Sequence, residues 1–276
     1  MKIHRIDTSH ATIAVSDTGA EGPPILMIHG NSSCRQVFRN QLEGDIGREF
    51  RVLAMDLPGH GDSTDAGDPE RTYWMPGYAD TAIEVMEALD VPSYAVLGWS
   101  LGGHIGIEML ARTKAVNRLM ITGTPPVDRS MESLGEGFRP SAHMHLAGQR
   151  DFTEQEVWNY AHSTCGDNAP FEPFLLEAVA RTDGRARELM FSRILDAASC
   201  NQQKTAVNSA VPLAIVNGED DVFINNPFIA SLPYRNLWEK KVHRLPGIGH
   251  APFWEVPEVF DGILRRFMQG AMAAIA

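Results

Sequence analysis

Tyr94-Ala-Val-Leu-Gly-Trp-Ser-Leu-Gly-Gly103 is the stretch on which the fold of this 276-residue chain turns. Tyr94 to Leu97 is a short apolar run of strand type, and Ile105, Ile107, Met109 and Leu110 follow at once in a helix-compatible segment. Gly98-Trp-Ser-Leu-Gly102 therefore falls on a strand-to-helix turn. A sharp turn at that place projects the Ser100 hydroxyl, and small residues on both sides let the backbone close around it.

The same alternation repeats on both sides of this stretch. Ile25 to Ile28 and Arg51 to Met55 are further buried runs, ending in His29-Gly30-Asn31 and in Asp56-Leu-Pro-Gly-His-Gly61. Between Met55 and Tyr94, the residues Tyr78, Ala82, Val85, Met86 and Leu89 share one helical face that Pro92 ends. Arg118 to Thr122, Val211 to Val216 and Lys241 to Leu245 continue the strands, and Phe260, Ile263, Leu264, Phe267 and Met268 mark a last helix from Pro257. Strands that are apolar on both faces and separated by helices predict an α/β fold with a mostly parallel central sheet covered by helices. Ile3 to Ile6 and Ala11 to Val15 read as two leading strands.

The rhythm stops once. After the sixth strand, helical patterns alone run to about residue 205, among them a segment opening behind Thr153 and Glu156, which have capping-box spacing. The expected division is a core of residues 1–124 and 206–276 with a helical cap inserted at 125–205.

Composition narrows the function. With 43% hydrophobic and 21% charged residues the chain is globular, and 24 basic against 35 acidic residues give a net charge of −11. Basic residues never run beyond pairs, so nucleic acid is not an expected partner. No apolar stretch approaches the ~20 residues of a membrane span, so no membrane partner is expected either. Cys34, Cys165 and Cys200 are too few and too scattered for a disulfide framework or zinc set. With no leader-type apolar segment at the start, a cytoplasmic location is expected.

Ligands of open α/β sheets meet the loops beyond the carboxyl ends of the strands. A serine hydroxyl becomes a nucleophile when a neutral imidazole takes its proton and a carboxylate orients that imidazole. Ser100 is the candidate nucleophile. His250, inside Gly247-Ile-Gly-His-Ala-Pro after the last strand, is the candidate base. Three acids, Glu219, Asp220 and Asp221, follow the preceding strand, and Asp221, the last of them, is the choice for the third member. The oxyanion of an acyl-transfer intermediate needs N–H donors, expected from Leu101 at the helix start and from Asn31 after the third strand. Asp56 to Asp62 reads as a structural turn, and His143-Met-His145 as packing rather than a metal site. No metal and no other cofactor is expected; the expected partner is a small-molecule substrate, and oligomeric state is not legible.

His29-Gly30, Asp56-x-Pro-Gly-His-Gly61, Gly98-x-Ser-x-Gly102, Gly218-x-x-Asp221 and Gly249-His250 occur in an order that resembles the α/β-hydrolase family over essentially the whole chain. Four further stretches are closely similar to the N-acyl-homoserine lactonases of that fold: His29 to Ser33, Leu119 to Val127, Ser163 to Gly166 and Val179 to Arg187. That resemblance implies metal-independent opening of the lactone ring of quorum-sensing signals. The acid of that group can be Glu, and Asp221 stands at the matching place here. The resemblance further implies that Asn31 and Tyr160 contact the lactone and that Met144, Trp238 and Phe138 contact the acyl chain. A general carboxylesterase, or a lactonase for another ring, is the alternative on the same chemistry, and a slow-turnover receptor of this fold is a third.

Overall fold

The computed structural model describes residues 1–166 and 168–270. Its sheet has eight strands: β1 (Lys2–Asp7), β2 (Thr12–Asp17), β3 (Pro24–Ile28), β4 (Arg51–Met55), β5 (Tyr94–Trp99), β6 (Val116–Thr122), β7 (Leu213–Gly218) and β8 (His243–Leu245). They lie in the order β1-β2-β4-β3-β5-β6-β7-β8. β2 runs antiparallel to both β1 and β4, and every later pairing is parallel. Strand order reverses around β3, which has β4 on one side and β5 on the other. The loops after β3 and β5 therefore part at a switch point, where such sheets leave room for a ligand.

Alternate residues of the central strands feed two cores, as a pleat with both faces buried requires. Leu26, Ile28 and Val96 pack with Tyr78, Val85, Ile105 and Ile107 of the helices Met75–Ala88 and Leu101–Arg112. Ile25, Met27, Ala95 and Leu97 face the other way, onto Phe253, Phe260 and Phe267 near the helix Pro257–Gln269. No helix among the described residues is long and apolar enough to cross a membrane.

Between β6 and β7 the chain is helical: Met131–Gly137, Glu154–Cys165, Pro173–Arg181, Gly184–Ser192 and Gln202–Asn208. Thr153 and Glu156 close the capping box that their spacing predicts. This region has a small core of its own, in which Leu146, Tyr160, Ala161 and Val179 pack together.

Candidate active site

Ser100 sits at φ 53°, ψ −115°, between β5 and the helix Leu101–Arg112. That left-handed backbone is costly for serine, about 1–3 kcal/mol, and persists only where the surroundings determine it. Here they do so on both sides of the residue. Its N–H donates to the Thr122 carbonyl at 2.8 Å, and its own carbonyl accepts from Gly103 N–H at 3.0 Å and the Thr124 hydroxyl at 2.8 Å. The flanking glycines are steric requirements: a Cβ on Gly98 would run into the Gly102 carbonyl, and one on Gly102 into that of Ile28.

His250 enters from the loop after β8 and is 4% exposed. Its Nδ1 lies 2.6 Å from Asp221 Oδ2, and the other oxygen of Asp221 accepts the Phe223 N–H at 2.9 Å. Glu219 and Asp220 point outward and are exposed, whereas Asp221 is fully buried. The imidazole is wedged between Phe223 and Trp99, with ring centroids at 4.9 and 5.7 Å. Gly123, at φ 65°, lies against it so closely that a Cβ there would strike the ring. With Nδ1 engaged, Nε2 is the nitrogen left for proton transfer.

The pocket over these groups has a volume of about 150 Å3. Ser100, Leu101, Asn31 and His250 line it, and Leu134, Phe138, Met144, Met190, Phe191 and Ile194, from the helical region between β6 and β7, form an apolar wall. Leu101 is the first helical residue, so its N–H has no acceptor within the helix. The Asn31 side chain is already engaged: Nδ2 donates to the Ala147 carbonyl at 2.9 Å, and Oδ1 accepts from the Ser32 hydroxyl at 3.2 Å. What Asn31 can offer an oxyanion is its backbone N–H. Tyr160 lines the same pocket beside Asn31, and burial pushes its phenol up to about 12, so it is a neutral donor.

Trp238 is a correction. It lies away from the pocket, stacked on His243 and edge-on to Phe267, with Arg266 over its ring. The segment before β8 packs this tryptophan, partly buried, against the core that holds Phe267 rather than over the pocket. Trp158 and Phe171 also sit outside the apolar wall, sandwiching His162 at 3.7 and 3.6 Å.

His104 is a pocket residue that the sequence did not mark. It stands one helical turn after Ser100, bonds Gln202 through Nδ1, and is held neutral by burial, which lowers it to about 4. The Asp56 turn is structural: buried Asp56 pairs with Arg35 and accepts the N–H groups of Arg35 and Asp62. Among the described residues, no cluster of three or more His, Cys, Asp or Glu is placed to hold a metal.

A strained serine beneath a carboxylate-backed imidazole, on this sheet order, defines a hydrolase of the α/β type. Residues 25–262 match the alpha/beta hydrolase family, and the chain belongs to it. It is 51% identical to the N-acyl homoserine lactonase AidH, solved in complex with N-butanoyl homoserine, with a TM-score of 0.94 over 98% of this chain and 97% of that one. A mutant of AidH complexed with N-hexanoyl homoserine lactone superposes equally well, at TM-score 0.94 and 51% identity over 98% of both chains. The pimeloyl-[acyl-carrier protein] methyl ester esterase of Nitrosospira multiformis is 25% identical over 252 residues, 90% of this chain and 95% of its own.

Proposed function

We propose that the protein opens the lactone ring of N-acyl-homoserine lactones, with Ser100, His250 and Asp221 as its catalytic triad. The observation that supports this most is the 51% identity to AidH over an alignment that covers 98% of this chain and so takes in the helices that wall the pocket. In this reading Ser100 Oγ attacks the lactone carbonyl carbon while His250 Nε2 takes its proton. The N–H groups of Leu101 and Asn31 receive the charge that develops on the carbonyl oxygen. As the ring C–O bond breaks, His250 returns the proton to the departing oxygen, leaving an acyl-enzyme that carries a free γ-hydroxyl. Water, deprotonated by His250, then attacks the acyl carbon, and the bond to Ser100 Oγ breaks as His250 returns the proton to that oxygen, releasing N-acyl-homoserine.

We assign residues 1–124 and 206–276, of which 271–276 lie outside the described residues, to the catalytic core and 125–205 to the cap that selects substrate. The free thiols of Cys34, Cys165 and Cys200 favour a cytoplasmic location, where thiols stay reduced.

The likeness to a methyl ester esterase favours simple esters as the second reading. Rates on acyl-homoserine lactones and on methyl esters of matched chain length separate the two. The lactonase reading predicts a markedly higher kcat/KM on the lactones, with many turnovers per enzyme. Higher values on the esters would assign a general esterase, and a stall after one equivalent would assign a receptor.

A further inference from the structure

The cap sequence Val179 to Arg187 does more than cover the pocket. Arg181 pairs with Asp65 at 3.0 Å and donates to the Ser63 carbonyl at 2.7 Å. The Asp183 N–H donates to the Gly59 carbonyl at 2.9 Å, and its carboxylate accepts the Tyr73 hydroxyl at 2.7 Å. These contacts clamp the cap to the core. Arg187 continues the clamp to the loop that carries Asn31.

Arg187 is 4% exposed. Its Nε and Nη2 donate to the carbonyls of Gln149 and Arg150, each at 2.8 Å, and Nη1 donates to the Ser32 hydroxyl at 3.2 Å. The guanidinium lies over the Phe152 ring at 4.0 Å. No carboxylate among the described residues pairs with it. A buried cation held by carbonyls and one hydroxyl is an expensive way to fill space. What a guanidinium offers in return is a planar set of donors at fixed angles, which can hold several segments in register.

The segment it holds is strained. Ser32 has φ 54°, in the left-handed region, and its hydroxyl passes the contact on to Asn31 Oδ1 at 3.2 Å. Asn31 is tied from its other end to the Ala147 carbonyl at 2.9 Å. Arg187, Ser32 and Asn31 thus form one chain of hydrogen bonds from cap to oxyanion loop. We propose that Arg187 is a positioning residue that acts through Ser32, setting the Asn31 peptide so that its N–H faces the oxygen of the attacked carbonyl. The oxyanion hole is then complete only when the cap is seated. This rests on the serine-hydrolase reading above and extends it.

Arg187→Ala, Ser32→Ala and the double variant test the idea beside the wild type and Ser100→Ala, on N-hexanoyl-homoserine lactone and on p-nitrophenyl butanoate. For the proteins that keep Ser100, rates are expressed per serine titrated to completion by an organophosphonate, so that misfolded protein does not count, and Ser100→Ala is compared per mole of protein. Both single variants are expected to lose about tenfold or more in kcat with KM within about twofold, because a donor aimed at the oxyanion acts on the transition state. The double variant should be no worse than Arg187→Ala, since the two residues act in series. If Arg187→Ala does not fold, Ser32→Ala decides alone. Unchanged kcat in Ser32→Ala, a change confined to KM, or losses that multiply in the double variant would overturn the proposal. Failure of the underlying reading looks different: Ser100→Ala would keep its activity.

Discussion

The indole nitrogen of Trp99 donates to the carbonyl oxygen of His250 at 2.9 Å. The residue that precedes the nucleophile therefore also tethers the loop carrying the base, and one side chain sets the two reacting groups relative to each other. Removing the donor leaves a buried carbonyl unpaired, at a cost of about 1–3 kcal/mol. Trp99→Phe is expected to lower both the unfolding midpoint and kcat, which urea titration and steady-state kinetics measure; an unaltered kcat would show that the tether does not govern the site.

The carboxylate of Asp221 fixes which imidazole nitrogen carries the proton. Asp221→Asn keeps the shape of the site but favours the wrong tautomer, because the amide can donate to Nδ1. A fall in kcat of two or more orders of magnitude is expected with little change in KM. Equal changes in Glu219→Gln or Asp220→Asn would argue for a different acid, although both of those side chains point to solvent.

The apolar wall of Leu134, Phe138, Met144, Met190, Phe191 and Ile194 predicts a ladder in acyl length. Each methylene buried is worth about 0.8 kcal/mol, so kcat/KM should climb from butanoyl to longer chains until the pocket is full. Tyr160→Phe tests the polar lining: loss of one neutral donor should cost about 1 kcal/mol at every chain length. A flat ladder together with a silent Tyr160→Phe would leave the cap as a cover without a part in selection.

Asp261, in the last helix, accepts from Gln41 Nε2 at 2.8 Å, and burial raises its carboxyl to about 6. A folded-state value above the unfolded one means that stability is full below the unfolded value near 3.8 and is lost as pH rises through 6. At neutral pH the folded protein bears that ionisation cost. Asp261→Asn removes the charge, and its amide can satisfy Gln41 Oε1, a buried oxygen that has no partner among the described residues. The variant should be more stable than the wild type by on the order of 1–3 kcal/mol at pH 7, with the difference shrinking toward pH 4. Chemical denaturation at the two pH values checks both magnitude and sign.

What could be read before the structure is what depends on local pattern. The central strands are continuous apolar runs and so are visible, the two leading strands show in their alternating character, and the glycines of Gly98 to Gly102 mark a turn whose geometry only small residues permit. Asp221 could be chosen from three acids by its place in the order of the motif. Pocket lining was less legible, because it depends on how separate cap helices are set over the sheet. Phe191 and Ile194 look like the core face of one helix, yet the helix ends at Ser192 and both line the pocket. His104 gave no signal, since a histidine in an apolar helix reads as packing. Trp238 misleads for a different reason: only the resemblance implied its contact with the acyl chain, and the structure packs its ring on His243 and Phe267 instead. Arg187 is conspicuous in sequence as one of three arginines in a seven-residue stretch, but its contact to Ser32 spans 155 positions.

Mass spectrometry of the product formed from N-hexanoyl-homoserine lactone distinguishes ring opening from amide cleavage. A lactonase adds one water with the amide intact, faster than spontaneous hydrolysis, and Ser100→Ala should lower the enzymatic rate by several orders of magnitude. Release of hexanoic acid with intact homoserine lactone, or undiminished ring opening by Ser100→Ala, would contradict serine-dependent ring opening.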